Sequence, residues 1–404
     1  MLDINKIRSQ FPILNRKVNG KDLVYFDNGA TTQKPQSVID AEANYYTDEN
    51  SNVHRGVHFL SGLATDKFEE TRDAVQDFIG AKHKHEIIFT KGTTDAINLV
   101  ANAYRILLSK GDEIIISELE HHSNIVPWQM CCEISGASLK VIPLLDNGEL
   151  DMNEFNNLLS ESTKVVAVSH ISNALGTISP IEEIISNAHK VGAKVLIDGA
   201  QAASHVALNM QELNADFYCF SAHKMFGPTG VGVLYGKEEI LNKLPPYQGG
   251  GEMIKEVSFE KTTYACLPHK FEAGTPNISG VIAFKQAIDF ITDLGVSEIA
   301  KYEDELLKYA TTEILKIEGV KIYGTAKNKS GIISFNIEGL HPYDIGMIVD
   351  KMGVAIRTGH HCTQPIMDRF NIPGTARISL SVYNTKAEVD VCINAIKKAK
   401  LMLS

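Results

Sequence analysis

The chain has 404 residues, 44% hydrophobic and 22% charged, an ordinary globular composition with room for two domains or one large domain and an appendage. A net charge of −10 without a long basic run argues against nucleic acid or an anionic membrane surface as a partner. No segment is long and apolar enough to span a bilayer, and the opening residues lack the apolar core of a secretory signal, so a cytoplasmic protein is expected.

Residues 1–20 read as a short helix (Ile4, Ile7, Phe11) and a connector ending at Gly20. Leu23 to Phe26 reads as a strand running into the polar turn Asp27-Asn28-Gly29-Ala30-Thr31-Thr32, and Pro35 opens a helix through Tyr46. Asn52 to His58 is a loop with two histidines and an arginine. A helix follows over 61–79, stopped by Gly80. Then the pattern alternates. Strands are predicted at 86–90, 113–116, 164–168, 194–198, 216–220 and 231–235, and helices after Gly92, up to Trp128 and over 181–191. Short apolar strands alternating with helices predict an α/β fold with a mostly parallel sheet.

From about 245 to 280 the texture is loop-like, and a long helical stretch from 279 to 316 leads out of it. The rest reads strand (331–337), helix (343–352), strand (354–357), loop, strand (377–382), helix (387–403), a smaller α+β unit. The division expected is a large domain of 21–280 and a small one formed by 1–20 and 281–404.

In parallel sheets, ligands bind outside the carboxyl ends of the strands. The polar clusters lie there: Thr93-Thr94, His122, Asn173, Asp198, Gln201 and Ser221-Ala222-His223-Lys224. A lysine closing a buried apolar run needs a partner or a task. A pyridoxal phosphate site would give it one. Lys224 would bond the cofactor aldehyde, Asp198 would keep the ring nitrogen protonated, and Gln201 would reach the ring hydroxyl. His122 would cover the ring face, and Thr93 and Thr94 at a helix start, with Ser221 and His223, would take the phosphate.

Competing motifs fail. There is no GxxxxGK[ST], and Gly230-Val231-Gly232 leads into a strand rather than a helix. His360-His361-Cys362 lacks a second ligand pair for zinc, so no metal site is expected. The six cysteines form no regular framework, and disulfides are not expected.

These residues resemble, over essentially the whole length, a fold-type-I pyridoxal phosphate enzyme of the class-V aminotransferase family. The likeness is to the cysteine desulfurases of the SufS and selenocysteine lyase group. It rests on Asp27-Asn28-Gly29-Ala30, Asn52 to Gly56, Gly92 to Asn98, Glu120 to Asn124, Asp198 to Gln201, Ser221 to Lys224 and Arg357 to Cys362. The resemblance implies a seven-stranded sheet in the large domain and a homodimer. Lys224 would be the cofactor lysine and proton-transfer base, and Cys362 the nucleophile. Asn173, Arg357 and Arg377 would surround the substrate, with Gly29, Ala30 and His54 also lining it. Thr275 would reach the cofactor phosphate of a second subunit.

The implied activity takes sulfur from L-cysteine onto Cys362 as a persulfide, leaves alanine, and feeds iron–sulfur cluster assembly. The alternative is selenocysteine lysis as the main activity. His360, His361 and Arg357 would favour the thiolate by their charge. Asp95 stands where many relatives have glutamate, and Thr363 where alanine is usual. Tyr343 stands where relatives served by a zinc-binding, SufU-like acceptor have histidine, which favours a SufE-like acceptor.

Overall fold

The computed structural model describes residues 2–403, so the first residue of the 1–20 segment and the last of the 281–404 segment lie outside it. Its centre is a seven-stranded sheet: β1 (Ile87–Thr90), β2 (Glu113–Ser117), β3 (Ser138–Ile142), β4 (Thr163–Ser169), β5 (Lys194–Asp198), β6 (Phe217–Ser221) and β7 (Gly232–Gly236). The spatial order is β1-β7-β6-β5-β4-β2-β3. β7 runs antiparallel to both β1 and β6, and the other pairs are parallel.

The central strands are apolar through most of their length because both faces are covered. Ile115, Val166, Val168, Val195, Ile197, Tyr218 and Phe220 face one core. Their neighbours Ile114, Ile116, Val165, Ala167, Leu196, Phe217 and Cys219 face the other, where Trp128 and the helix Thr93–Leu107 pack. β3 was not predicted. It is an edge strand in which only Ile142 is buried, and Ser138 and Lys140 break its apolar run. Among the described residues no helix is long and apolar enough to cross a membrane.

The small unit is a four-stranded antiparallel sheet of β8 (Val320–Tyr323), β9 (Ile332–Ile337), β10 (Arg357–Gly359) and β11 (Thr375–Ser379), in the order β8-β9-β11-β10. The strand predicted at 354–357 divides. Val354–Ala355 pairs in parallel with Val24–Tyr25, while Arg357 opens a separate strand against β11. Val24 and Phe26 therefore sit in the small core, whereas Ile7 and Phe11 pack in the large one.

The helical stretch predicted over 279–316 is two helices, Ile278–Leu294 and Val296–Ile314. They break at Gly295, whose φ of +80° is open to glycine and strained for other residues. The first helix packs on the large core, and the second on the small one.

Register sets up the site. Ser169 pairs with Asp198, and Asp198 with Cys219, so the carboxyl ends of β4 and β5 are level and β6 runs two residues further, to Ser221. At the other flank, a Cβ on Gly232 would lie 2.4 Å from Gly92 Cα. Glycine at the start of β7 thus lets the turn before Thr93 close onto the sheet.

Candidate active site

Asp198 ends β5, and Ser221 ends β6. The chain then makes a tight 3-10 turn, Ala222–Lys224, that turns the lysine back over the sheet edge. Thr93 opens a fifteen-residue helix. From the small unit come Arg357 on β10, Arg377 on β11 and Cys362 on the loop between them. All line one cavity of about 320 Å³, together with Ala30, Thr94, His121, Ser123, Asn173, His223 and His361.

Lys224 reaches this cavity with no hydrogen bond from Nζ to any described residue. Burial lowers its pKa to about 8, against the pull of Asp198 and with help from Arg377 and Arg357. Asp198 is 5% exposed, and its Oδ1 accepts the Ala200 N–H at 2.9 Å. Burial raises its pKa, and Lys224 opposes the rise. A buried carboxylate with one backbone hydrogen bond is a costly anion, and a protonated ring nitrogen beside it would offset that cost. Thr93 and Ser221 are both buried. The Thr93 N–H donates to Ser221 Oγ at 2.8 Å, and the two hydroxyls share a bond of 2.8 Å. A second cavity, about 480 Å³, opens from Thr93, Thr94, Ser221 and His223 toward Thr229 and Tyr247. The donor set, the unpaired lysine and the buried carboxylate fit pyridoxal phosphate.

Arg377 is 1% exposed. Nη1 donates to Asn173 O at 2.7 Å and Nη2 to Asp27 Oδ1 at 3.2 Å, while Nε is buried without a partner among the described residues. Burial lowers its pKa to about 10 despite Asp27. Arg357 grips the same carboxylate with Nε and Nη2, both at 3.0 Å. Sequence reasoning gave Asp27 no role. Its partners lie more than 300 residues away, and no local spacing signals them.

Several predicted residues do not line this cavity. The cavity wall carries His121, not His122. His121 Nδ1 accepts the Ser123 N–H at 3.1 Å, and burial, with Lys224 nearby, lowers its pKa to about 4. Its ring is therefore neutral, with the proton on Nε2. The His122 ring turns instead toward His360, 5.7 Å away. The Gln201 amide nitrogen is engaged with Gly29 O at 2.6 Å, and Gly29 N–H with Ser379 Oγ. His54 is bonded to Glu69 at 3.2 Å, with its ring against Phe68, and it does not line this cavity. Thr275 is exposed on a separate cavity with Gln248.

His361 does not add positive charge. Burial lowers its pKa to about 3, and Arg377 reinforces this, so the cations facing Cys362 are Lys224, Arg357 and Arg377. Cys362 itself is exposed, with φ +58° next to His361 at φ +53°.

Residues 24–392 match the family model described as aminotransferase class-V. A probable cysteine desulfurase of Mycolicibacterium paratuberculosis is 50% identical over 98% of this chain, which spans 58% of that relative's length. A probable cysteine desulfurase of Staphylococcus aureus is 50% identical over 100% of this chain and 98% of its own. The apo structure of a cysteine desulfurase from Thermococcus onnurineus NA1 superposes with a TM-score of 0.94 at 40% identity, covering 98% of each chain.

Proposed function

This chain belongs to the class-V aminotransferase family, whose members here use pyridoxal phosphate, and from that premise we propose that it is a cysteine desulfurase with Cys362 as sulfur acceptor. The observation that carries the reading is the meeting of Lys224 and Cys362, from two different units, on one cavity with Arg377. Lys224, Asp198, Thr93, Thr94, Ser221 and His223 would hold the cofactor, with His121 over the ring face and Gln201 nearby. The cofactor supplies an aldehyde for the substrate amine and a protonated ring that draws electrons from Cα.

Arg377 binds the substrate carboxylate through its fork of N–H groups, and Asn173 and Arg357 fix the orientation. Lys224 Nζ, kept partly neutral by burial, takes the Cα proton. Cys362 Sγ, as thiolate, then attacks the substrate sulfur. An S–S bond forms, the Cβ–S bond breaks, and its electron pair stays with carbon, where a proton completes the methyl group; Lys224 then returns the proton to Cα to give alanine. The persulfide remains on Cys362.

The setting proposed is sulfur supply for iron–sulfur cluster assembly in the cytoplasm by a homodimer, in which Thr275 would serve the second subunit's site. Tyr343, exposed at the start of the helix Pro342–Lys351, is consistent with a SufE-like acceptor. Cys362→Ala tests the substrate. Selenium is a better leaving atom than sulfur and needs less help. The variant should therefore lose alanine production from L-cysteine and keep much of it from L-selenocysteine. Equal loss on both substrates would remove that distinction, and alanine production from L-cysteine kept in the variant would refute the role given to Cys362.

A further inference from the structure

The Cys362 loop is tied down more firmly than an exposed loop needs to be, and one residue makes both ties at its far side. The main-chain N–H of His122 donates to Cys362 O at 2.8 Å. The ring of the same residue accepts, at Nε2, the N–H of Gln364 at 3.1 Å. That N–H opens the helix Gln364–Phe370 and has no partner within it. Asn173 Nδ2 adds a third tie, to His361 O at 2.8 Å. Between the ties, His361 and Cys362 both hold left-handed backbone conformations. Two consecutive non-glycine residues in that region persist only where their surroundings hold them.

We propose that His122 is the positioning residue of the sulfur-accepting loop, anchoring residues 362–364 to the large domain through its main chain and through the Nε2 of a neutral ring. The proposal rests on the desulfurase reading above. It gives His122 a place in sulfur transfer and none in covering the cofactor. Accepting from Gln364 requires Nε2 to be unprotonated. Burial, and then the neighbouring His360, hold the ring below the ordinary histidine value of 6.5. The titratable groups facing it are His360 at 5.7 Å and His121 at 6.2 Å between ring centres, with Cys362 on the bonded loop. His121 is neutral, and its own Nδ1 is occupied by Ser123. Protonation of His122 would set an N–H against the Gln364 N–H and release one of the ties.

Two variants of the holoenzyme separate this from a merely structural role. His122→Leu removes the ring acceptor and keeps the main-chain tie. His122→Gln restores an acceptor, Oε1, at nearly the reach of Nε2, and it cannot be protonated. Three readouts apply: hydrogen–deuterium exchange in the peptide over 360–366, the single-turnover rate at which Cys362 gains sulfur from L-cysteine, and KM.

His122→Leu should speed exchange and slow sulfur gain, each about tenfold, the change expected for one ordinary hydrogen bond. KM should stay within about twofold, because Arg377 is untouched. His122→Gln should recover both rates. It should also lose less of its transfer rate than the wild type as pH falls below the ordinary histidine value of 6.5. Wild-type exchange and transfer in His122→Leu, or no recovery in His122→Gln, would overturn the proposal. A wild type that never gains sulfur on Cys362 overturns the desulfurase reading and the transfer role with it, while the exchange rates still decide whether His122 anchors the loop.

Discussion

Replacing Arg377 by lysine keeps the positive charge and removes the fork. In the structure the guanidinium is fully buried, held by Asn173 O and Asp27, with one face toward the cavity. A substrate carboxylate would take two parallel N–H bonds from it, and a lysine ammonium can offer only one in that geometry. A hydrogen bond to a charged group contributes about 1.5–3 kcal/mol, so losing one weakens binding by about 10-fold to about 150-fold. KM for L-cysteine should rise by that factor, and the maximal rate should change much less. Initial rates of alanine formation over a range of L-cysteine concentrations measure this. A titration with L-alanine, followed by cofactor absorbance, checks that the change is in binding. If KM stays within about twofold of wild type while kcat falls, Arg377 does not hold the carboxylate and the orientation of substrate proposed here is wrong.

Asp27→Asn removes the carboxylate shared by Arg357 and Arg377, and urea unfolding should show a loss of about 1–2 kcal/mol, kept modest by the exposure of Arg357. Arg72 is fully buried and bonds both Glu69 and Glu272, so Arg72→Met leaves two carboxylates without their cation and should cost about 3–5 kcal/mol in the same assay. Glu120 is fully buried, and burial raises its pKa to about 7, although Ser117, Ser169 and Asn124 donate to it. Between the ordinary value of 4.5 and about 7, the folded chain keeps a proton that the unfolded chain has lost, so this group's contribution falls as pH rises. Glu120→Gln should therefore gain stability relative to wild type between pH 5 and pH 7.5, and a difference that is flat with pH would refute the burial argument.

The large sheet was legible because each central strand is a short apolar run buried on both faces, and because its polar residues collect where the strands end. Lys224, Asp198, Thr93 and Asn173 were found by that rule alone. The rule fails at His121 and His122. They are adjacent and lie in a turn, outside the alternation of a strand, and only the course of the 3-10 turn His122–Asn124 decides which ring faces the cavity. β3 hid for a different reason: an edge strand exposed to solvent carries no continuous apolar run. Asp27, though quoted within a motif, could not be assigned its arginines, because they arrive from another unit of the chain. The helical stretch read over 279–316 hid its break at Gly295, because the apolar pattern resumes directly after that residue.

The assignment of sulfur to Cys362 is tested most directly by one turnover of the pure protein with L-cysteine, followed by mass measurement of the peptide that contains Cys362 and by quantifying alanine. One added sulfur atom on Cys362, in equal amount to the alanine formed, is the predicted result. Alanine without added sulfur on that peptide, or no alanine at all, would contradict it.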